Sequence, residues 1–110
     1  MTGEIKELTA SIRLFTEERD WDQFHNPKDL ALALSIEAGE LLECFLWKDA
    51  SQANLEKVKE ELADVINYAL LMADKLDLDV KQIVLDKLKQ NAEKYPVNKA
   101  KGTAKKYDEL

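Results

Sequence analysis

The chain of 110 residues holds one histidine, one cysteine, two prolines and three glycines. Each scarcity removes a class of protein. A lone Cys44 forms no disulfide within the chain, which fits a reducing cytosol. A single histidine, His25, starves a zinc centre of ligands and supplies no Glu-x-x-His motif for a di-iron bundle. The three glycines form neither a phosphate loop nor a dinucleotide loop, and no calcium-binding loop is present. A bound phosphate would therefore be held by a metal and cationic side chains. No apolar run approaches the roughly 20 residues of a membrane span. No basic-then-apolar leader is seen either, so the expectation is a cytoplasmic protein with no membrane partner. Positive charge is also short: 16 basic residues against 22 acidic give a net charge of −6. Bulk electrostatics then repel nucleic acid, which is not expected as a partner.

Helical periodicity dominates what remains. Hydrophobic residues make up 45% of the chain and charged residues 35%, with no strand alternation and no internal repeat. Ile5, Leu8, Ile12 and Phe15 give a first amphipathic helix over Glu4 to Arg19. Asn26-Pro27 is a helix-start signal, and a second helix is expected to Leu46. Its apolar residues surround most of its circumference, which implies a central helix contacted on more than one side. Gly39 inside it suggests a close helix crossing, or ligand access beside Glu40. A third helix begins near Ser51 or Asn54 and runs to about Leu76. A fourth, capped by Asp79, runs to Lys94, with Ile83, Val84, Leu85 and Leu88 as its core side. Tyr95-Pro96 ends it. The fold class is thus all-α, a four-helix bundle-like domain over 1–96 with a basic tail over 97–110, extended or mobile.

Two acidic pairs stand out, Glu37 with Glu40 and Glu61 with Asp64. Spacing i, i+3 puts each pair on one helix face. Two antiparallel helices would aim all four carboxylates at one place. Exposed Glu pairs are common on helices, and Glu43 and Glu60 show how easily such spacing arises here. Glu37 and Glu40, however, lie in the most apolar helix of the chain. Clustered carboxylates with no other ligand type suit Mg²⁺, or Mn²⁺. Lys87, Asn91 and Lys94 share a helix face at i, i+4, i+7 and could grip a phosphate tail. Trp21, His25 and Trp47 lie on the connections flanking the second helix, where aromatics could sandwich a base. Phe24 in the same connection is expected to lid the core. Tyr68 lies one turn beyond Asp64, within reach of a ligand's sugar.

These residues resemble a known family. Glu37-Ala38-Gly39-Glu40, followed by Glu61-Leu62-Ala63-Asp64, is similar to the paired acidic motif of the MazG-like all-α nucleoside triphosphate pyrophosphohydrolases. The segment from Glu18 to His25, the turn Phe45-Leu46-Trp47-Lys48, the pattern Lys87, Asn91, Lys94, Tyr95, Pro96, and Lys106-Tyr107 with Glu109-Leu110 resemble its dCTP pyrophosphatase branch. The resemblance runs from about Leu8 to the C-terminus. It implies a Mg²⁺-dependent enzyme that cleaves a nucleoside triphosphate between the α and β phosphates. Glu37, Glu40, Glu61 and Asp64 carry over as metal ligands, and Glu37 or Glu40 also as the group orienting the attacking water. Trp21, His25, Trp47 and Tyr68 carry over as nucleoside contacts, and Lys87, Asn91 and Lys94 as phosphate contacts. It also implies a homodimer or a dimer of dimers. The substrate so implied is dCTP or a modified dCTP. The same chemistry on dATP or dUTP is one alternative; a non-catalytic helical adaptor is another.

Overall fold

The computed structural model describes residues 3–110. Four long helices follow in order: α1 (Glu4–Glu18), α2 (Pro27–Glu43), α3 (Leu55–Lys75) and α4 (Val80–Lys94). A short α5 (Val97–Ala100) and 3₁₀ turns at Asp22–Phe24, Ala50–Gln52 and Tyr107–Glu109 complete the chain. No strand forms among the described residues. Chain contacts define two compact units, one reaching to Leu78 and the other running Asp79–Leu110. No described helix is long and apolar enough to cross a membrane.

Side-chain caps fix the helix starts. Asn26 Oδ1 accepts from the Asp29 N–H at 2.9 Å, with Pro27 in the first turn. Asn54 Oδ1 accepts from Glu56 and Lys57, and Asp79 Oδ1 from Gln82. With glycine scarce, aspartates take the left-handed positions that end α1 and α3. Asp20 has φ 57° and Asp77 φ 55°. Around each, the chain closes a Schellman motif, Trp21 N–H to Thr16 O and Leu78 N–H to Ala73 O.

α2 stops three residues short of the expected Leu46. Phe45 and Leu46 close tighter i→i+3 bonds to Leu42 and Glu43, and Trp47 then turns left-handed at φ 59°. A bulky residue there costs about 1–2 kcal/mol. α3, not α2, is the helix packed on two sides: it carries α2 and, less extensively, α1. The seam buries Leu30 completely, with Cys44, Leu70, Leu71 and Ala73. Arg13 and Asp74 tie α1 to α3 through a two-point ion pair, and Lys75 reaches Asp22 at 2.7 Å. The Asp74 carboxylate is held below its ordinary pKa by the Arg13 hydrogen bond.

Much apolar surface stays open. Phe24, expected as a core lid, is 62% exposed, and no residue of α4 is buried. A Cβ added at Gly39 would meet nothing within 4 Å, so no helix crossing among the described residues of the first unit requires that glycine. In the second unit α5 puts a helical turn into the expected tail, and Tyr107 meets the edge of Tyr95 at 6.2 Å.

Candidate active site

The α2–α3 seam sets the site. Leu30, Leu34, Glu37, Leu41 and Cys44 recur at helical spacing and are the partly or fully buried residues of one α2 face, so Glu37 is carried into the seam. From α3, Glu61 and Asp64 meet it. Glu37, Glu61 and Asp64 each offer an oxygen within 4.8 Å of the others. Glu40, exposed, stands beside them, and its carboxyl acts on both Glu37 and Glu61. Oε2 of Glu37 and Oε2 of Glu61 are buried and have no hydrogen-bond partner.

The electrostatics follow from this crowding. Burial first, then the adjoining Glu40 carboxyl, then the charges of Glu40, Asp64 and Glu61 push Glu37 up from 4.5 to about 7. Glu61 is raised by burial first, then by the adjoining Glu40 carboxyl and its charge, then by Asp64, with Lys57 opposing. The Tyr68 phenol is raised by burial and by the nearby Glu37, Asp64 and Glu40, so it stays protonated and able to donate.

A small hard cation fits this donor set. Ligands about 2.0–2.6 Å from an ion lie no more than about 5 Å apart, the spacing these three oxygens hold. The two orphaned oxygens are acceptors in need of a partner. Without one, Glu37 makes stability depend on pH. Its folded pKa lies above the unfolded value, so between about pH 4.5 and 7 the unfolded chain binds fewer protons and stability falls as pH rises. With chelator, the melting temperature is expected to drop from pH 5 to pH 8, and saturating Mg²⁺ to reverse the drop at pH 8. A melting curve indifferent to both would remove the repulsion from the account.

Beside the acids lies a cleft of about 430 Å³ within the first unit. Asp64 belongs to both. Phe15, Trp21, His25, Tyr68 and Leu71 form much of the lining; Ser11, Ile12, Thr16 and Asn67 complete it. Phe15 meets Trp21 edge-on at 5.7 Å, and His25 meets Tyr68 at 6.5 Å. The Arg19 guanidinium caps the Phe15 ring at 3.7 Å. His25 Nδ1 is buried without a partner.

A model of the MazG-like family matches residues 32–110. The chain belongs to the MazG-like family. It is 39% identical over 92 residues to dCTP pyrophosphatase 1 of Mus musculus, covering 76% of this chain and 52% of that protein. Against dCTP pyrophosphatase 1 of Homo sapiens it is 38% identical over 115 residues, covering 97% and 66%. The chain thus spans about half to two-thirds of the length of these curated relatives. A crystal structure of a pyrophosphatase from Archaeoglobus fulgidus superposes with a TM-score of 0.77 at 36% identity, covering 87% of this chain and 95% of that one.

Within this MazG-like chain, four of the anticipated site residues, Trp21, His25, Asp64 and Tyr68, line one cleft. Trp47 is not among its lining; it is 94% exposed on its left-handed backbone. Lys87, Asn91 and Lys94 lie on α4 in the second unit, where the Lys94 ammonium sits 5.0 Å from the Tyr107 ring centre. Ser11, Phe15, Thr16 and Asn67 were not anticipated as lining. Phe15 read as one more stripe residue, and the others carry no charge and fit no motif. The i, i+3 step from Asp64 to Asn67 is the one signal that could have found any of them.

Proposed function

We propose that the protein is a divalent-metal-dependent nucleoside triphosphate pyrophosphohydrolase that releases pyrophosphate and a monophosphate. The observation that carries this is the pair of buried, unpartnered carboxylate oxygens on Glu37 and Glu61, beside an aromatic cleft that shares Asp64. Glu37, Glu61 and Asp64, with Glu40 alongside, would hold Mg²⁺; Mn²⁺ suits the same oxygens. Bound there, the ion neutralises phosphate charge and lowers the pKa of water.

The chain's own residues do the rest. Trp21 and His25 flank the base, where stacking contributes about 1–3 kcal/mol. Tyr68 donates its phenolic proton toward the ligand. Glu37 or Glu40 orients the attacking water, a positioning task of the kind that carries most of phosphoryl-transfer catalysis. Trp47, strained and exposed, and the α4 side chains Lys87, Asn91 and Lys94 remain as further substrate contacts in this reading.

The substrate proposed is dCTP or a modified dCTP, supported by the similarity to the two dCTP pyrophosphatases. An assembly of identical subunits, dimer or dimer of dimers, is proposed as well. It is supported by the open apolar face of α2, since soluble monomers rarely leave large contiguous apolar patches uncovered. The single Cys44 fits a cytoplasmic setting.

The test is a panel of nucleoside triphosphates with Mg²⁺, with and without chelator. Pyrophosphate is expected from dCTP above dATP and dUTP, and none with chelator. Orthophosphate as sole product would reject the α–β cleavage. No product from any nucleotide would leave a helical adaptor.

A further inference from the structure

The cleft's polar groups differ in what they have left to offer. The Ser11 hydroxyl donates to Glu7 O at 3.1 Å and the Thr16 hydroxyl to Arg13 O at 2.8 Å, each within its own helix. Asp64 belongs to the acidic cluster, and Tyr68 feels the same carboxylates. Asn67 is different. Its side chain is partly buried, it lines the cleft, and among the described residues no hydrogen bond occupies its amide. A carboxamide carries a donor and an acceptor, and so does a hydroxyl.

Position along α3 says which part of a ligand Asn67 meets. Asn67 follows Asp64 by three residues, about 4.5 Å along the axis, while Leu71 is about 10.5 Å on. No lysine or arginine lines the cleft, so it receives the uncharged end of a ligand whose charged end lies at the acids. A phosphate held level with Asp64 puts its own sugar one helical turn further along. The base then falls beside Leu71 and the Phe15–Trp21 edge pair.

Resting on the nucleotide reading above, we propose that Asn67 is a specificity-determining residue that hydrogen-bonds the 3′-hydroxyl of the substrate's sugar. Leaving that amide unpaired penalises a ligand without the hydroxyl, because a half-buried polar group loses its water and gains no partner.

The experiment compares a 2′-deoxynucleoside triphosphate with the 2′,3′-dideoxy form of the same base, on the wild-type protein, Asn67→Leu and Asn67→Ser. The wild type is expected to prefer the deoxy substrate on the order of tenfold in kcat/KM. Asn67→Leu is expected to bring that ratio near one, and Asn67→Ser, which keeps a donor and an acceptor, to hold an intermediate ratio. A wild-type ratio preserved in both variants overturns the proposal. So does an equal fall on both substrates, which would mean that Asn67 acts through Asp64 or the fold. If the wild type releases pyrophosphate from no nucleotide, the nucleotide reading itself falls; that result is distinct because no wild-type rate exists to compare.

Discussion

Glu37→Gln is expected to abolish pyrophosphate release and, at pH 8 without metal, to raise the melting temperature. Both effects have one cause. Glu37 sits in the α2–α3 seam with an orphaned oxygen and three carboxylates near it, and its own carboxyl is pushed up to about 7. Glutamine keeps the shape and removes the charge. At pH 8 the wild-type chain holds that charge against Glu40, Asp64 and Glu61; the variant does not. The same charge is what a cation needs. Losing one anionic ligand from so small a set is expected to lower kcat/KM on the order of a thousandfold, and to cancel the rise in melting temperature that Mg²⁺ gives the wild type. Opposite signs separate this outcome from misfolding, which would lower both. Turnover within tenfold of wild type would remove Glu37 from the site. Active sites commonly trade stability for function in this way.

If the proposed assembly forms, Gly39→Leu is expected to break it into single chains of 12.6 kDa. Leu32, Ile36, Gly39 and Leu42 share the side of α2 turned away from Leu30, Leu34 and Leu41, and Ile36 and Leu42 are 62% and 72% exposed. Gly39 sits mid-stripe with open space around it. In a lone protomer leucine would be welcome there: nothing is in its way, and helix propensity alone favours it by about 0.8 kcal/mol. A second copy laid on this stripe would bring backbone close at Gly39, where a leucine side chain would hold the helices apart. Sedimentation velocity and thermal melting decide between the two. A smaller particle with a lower melting temperature supports the stripe as the subunit interface. Unchanged mass with a higher melting temperature would show that Gly39 faces only water.

The local grammar was legible. Asn26, Asn54 and Asp79 announce helix starts because their side chains can reach the next free N–H groups, and the structure uses all three. The i, i+3 acids were legible for the same reason: helix geometry alone puts them on one face. What escaped depends on partners far away in sequence. The Arg13–Asp74 pair spans 61 residues and has no sequence signal. The apolar girth of α2 predicts a central helix, yet within the first unit α3 takes that place, and the outer stripe of α2 stays open. Trp47 in a left-handed conformation was hidden because that role normally belongs to glycine. The cleft was half legible: aromatics stand out in a sequence, whereas Ser11, Thr16 and Asn67 do not.

The sequence by itself determined that this chain is helical, where its helices begin, and that its acids fall in pairs. These follow from spacing along one helix and from caps within three residues. Tertiary structure alone decided that Glu37 faces Glu61 and Asp64 across a seam, that two of their oxygens lose water without gaining a partner, and that Asp64 opens onto an aromatic cleft. Desolvation and charge crowding arise only when separate helices are brought together, so no stretch of sequence carries them.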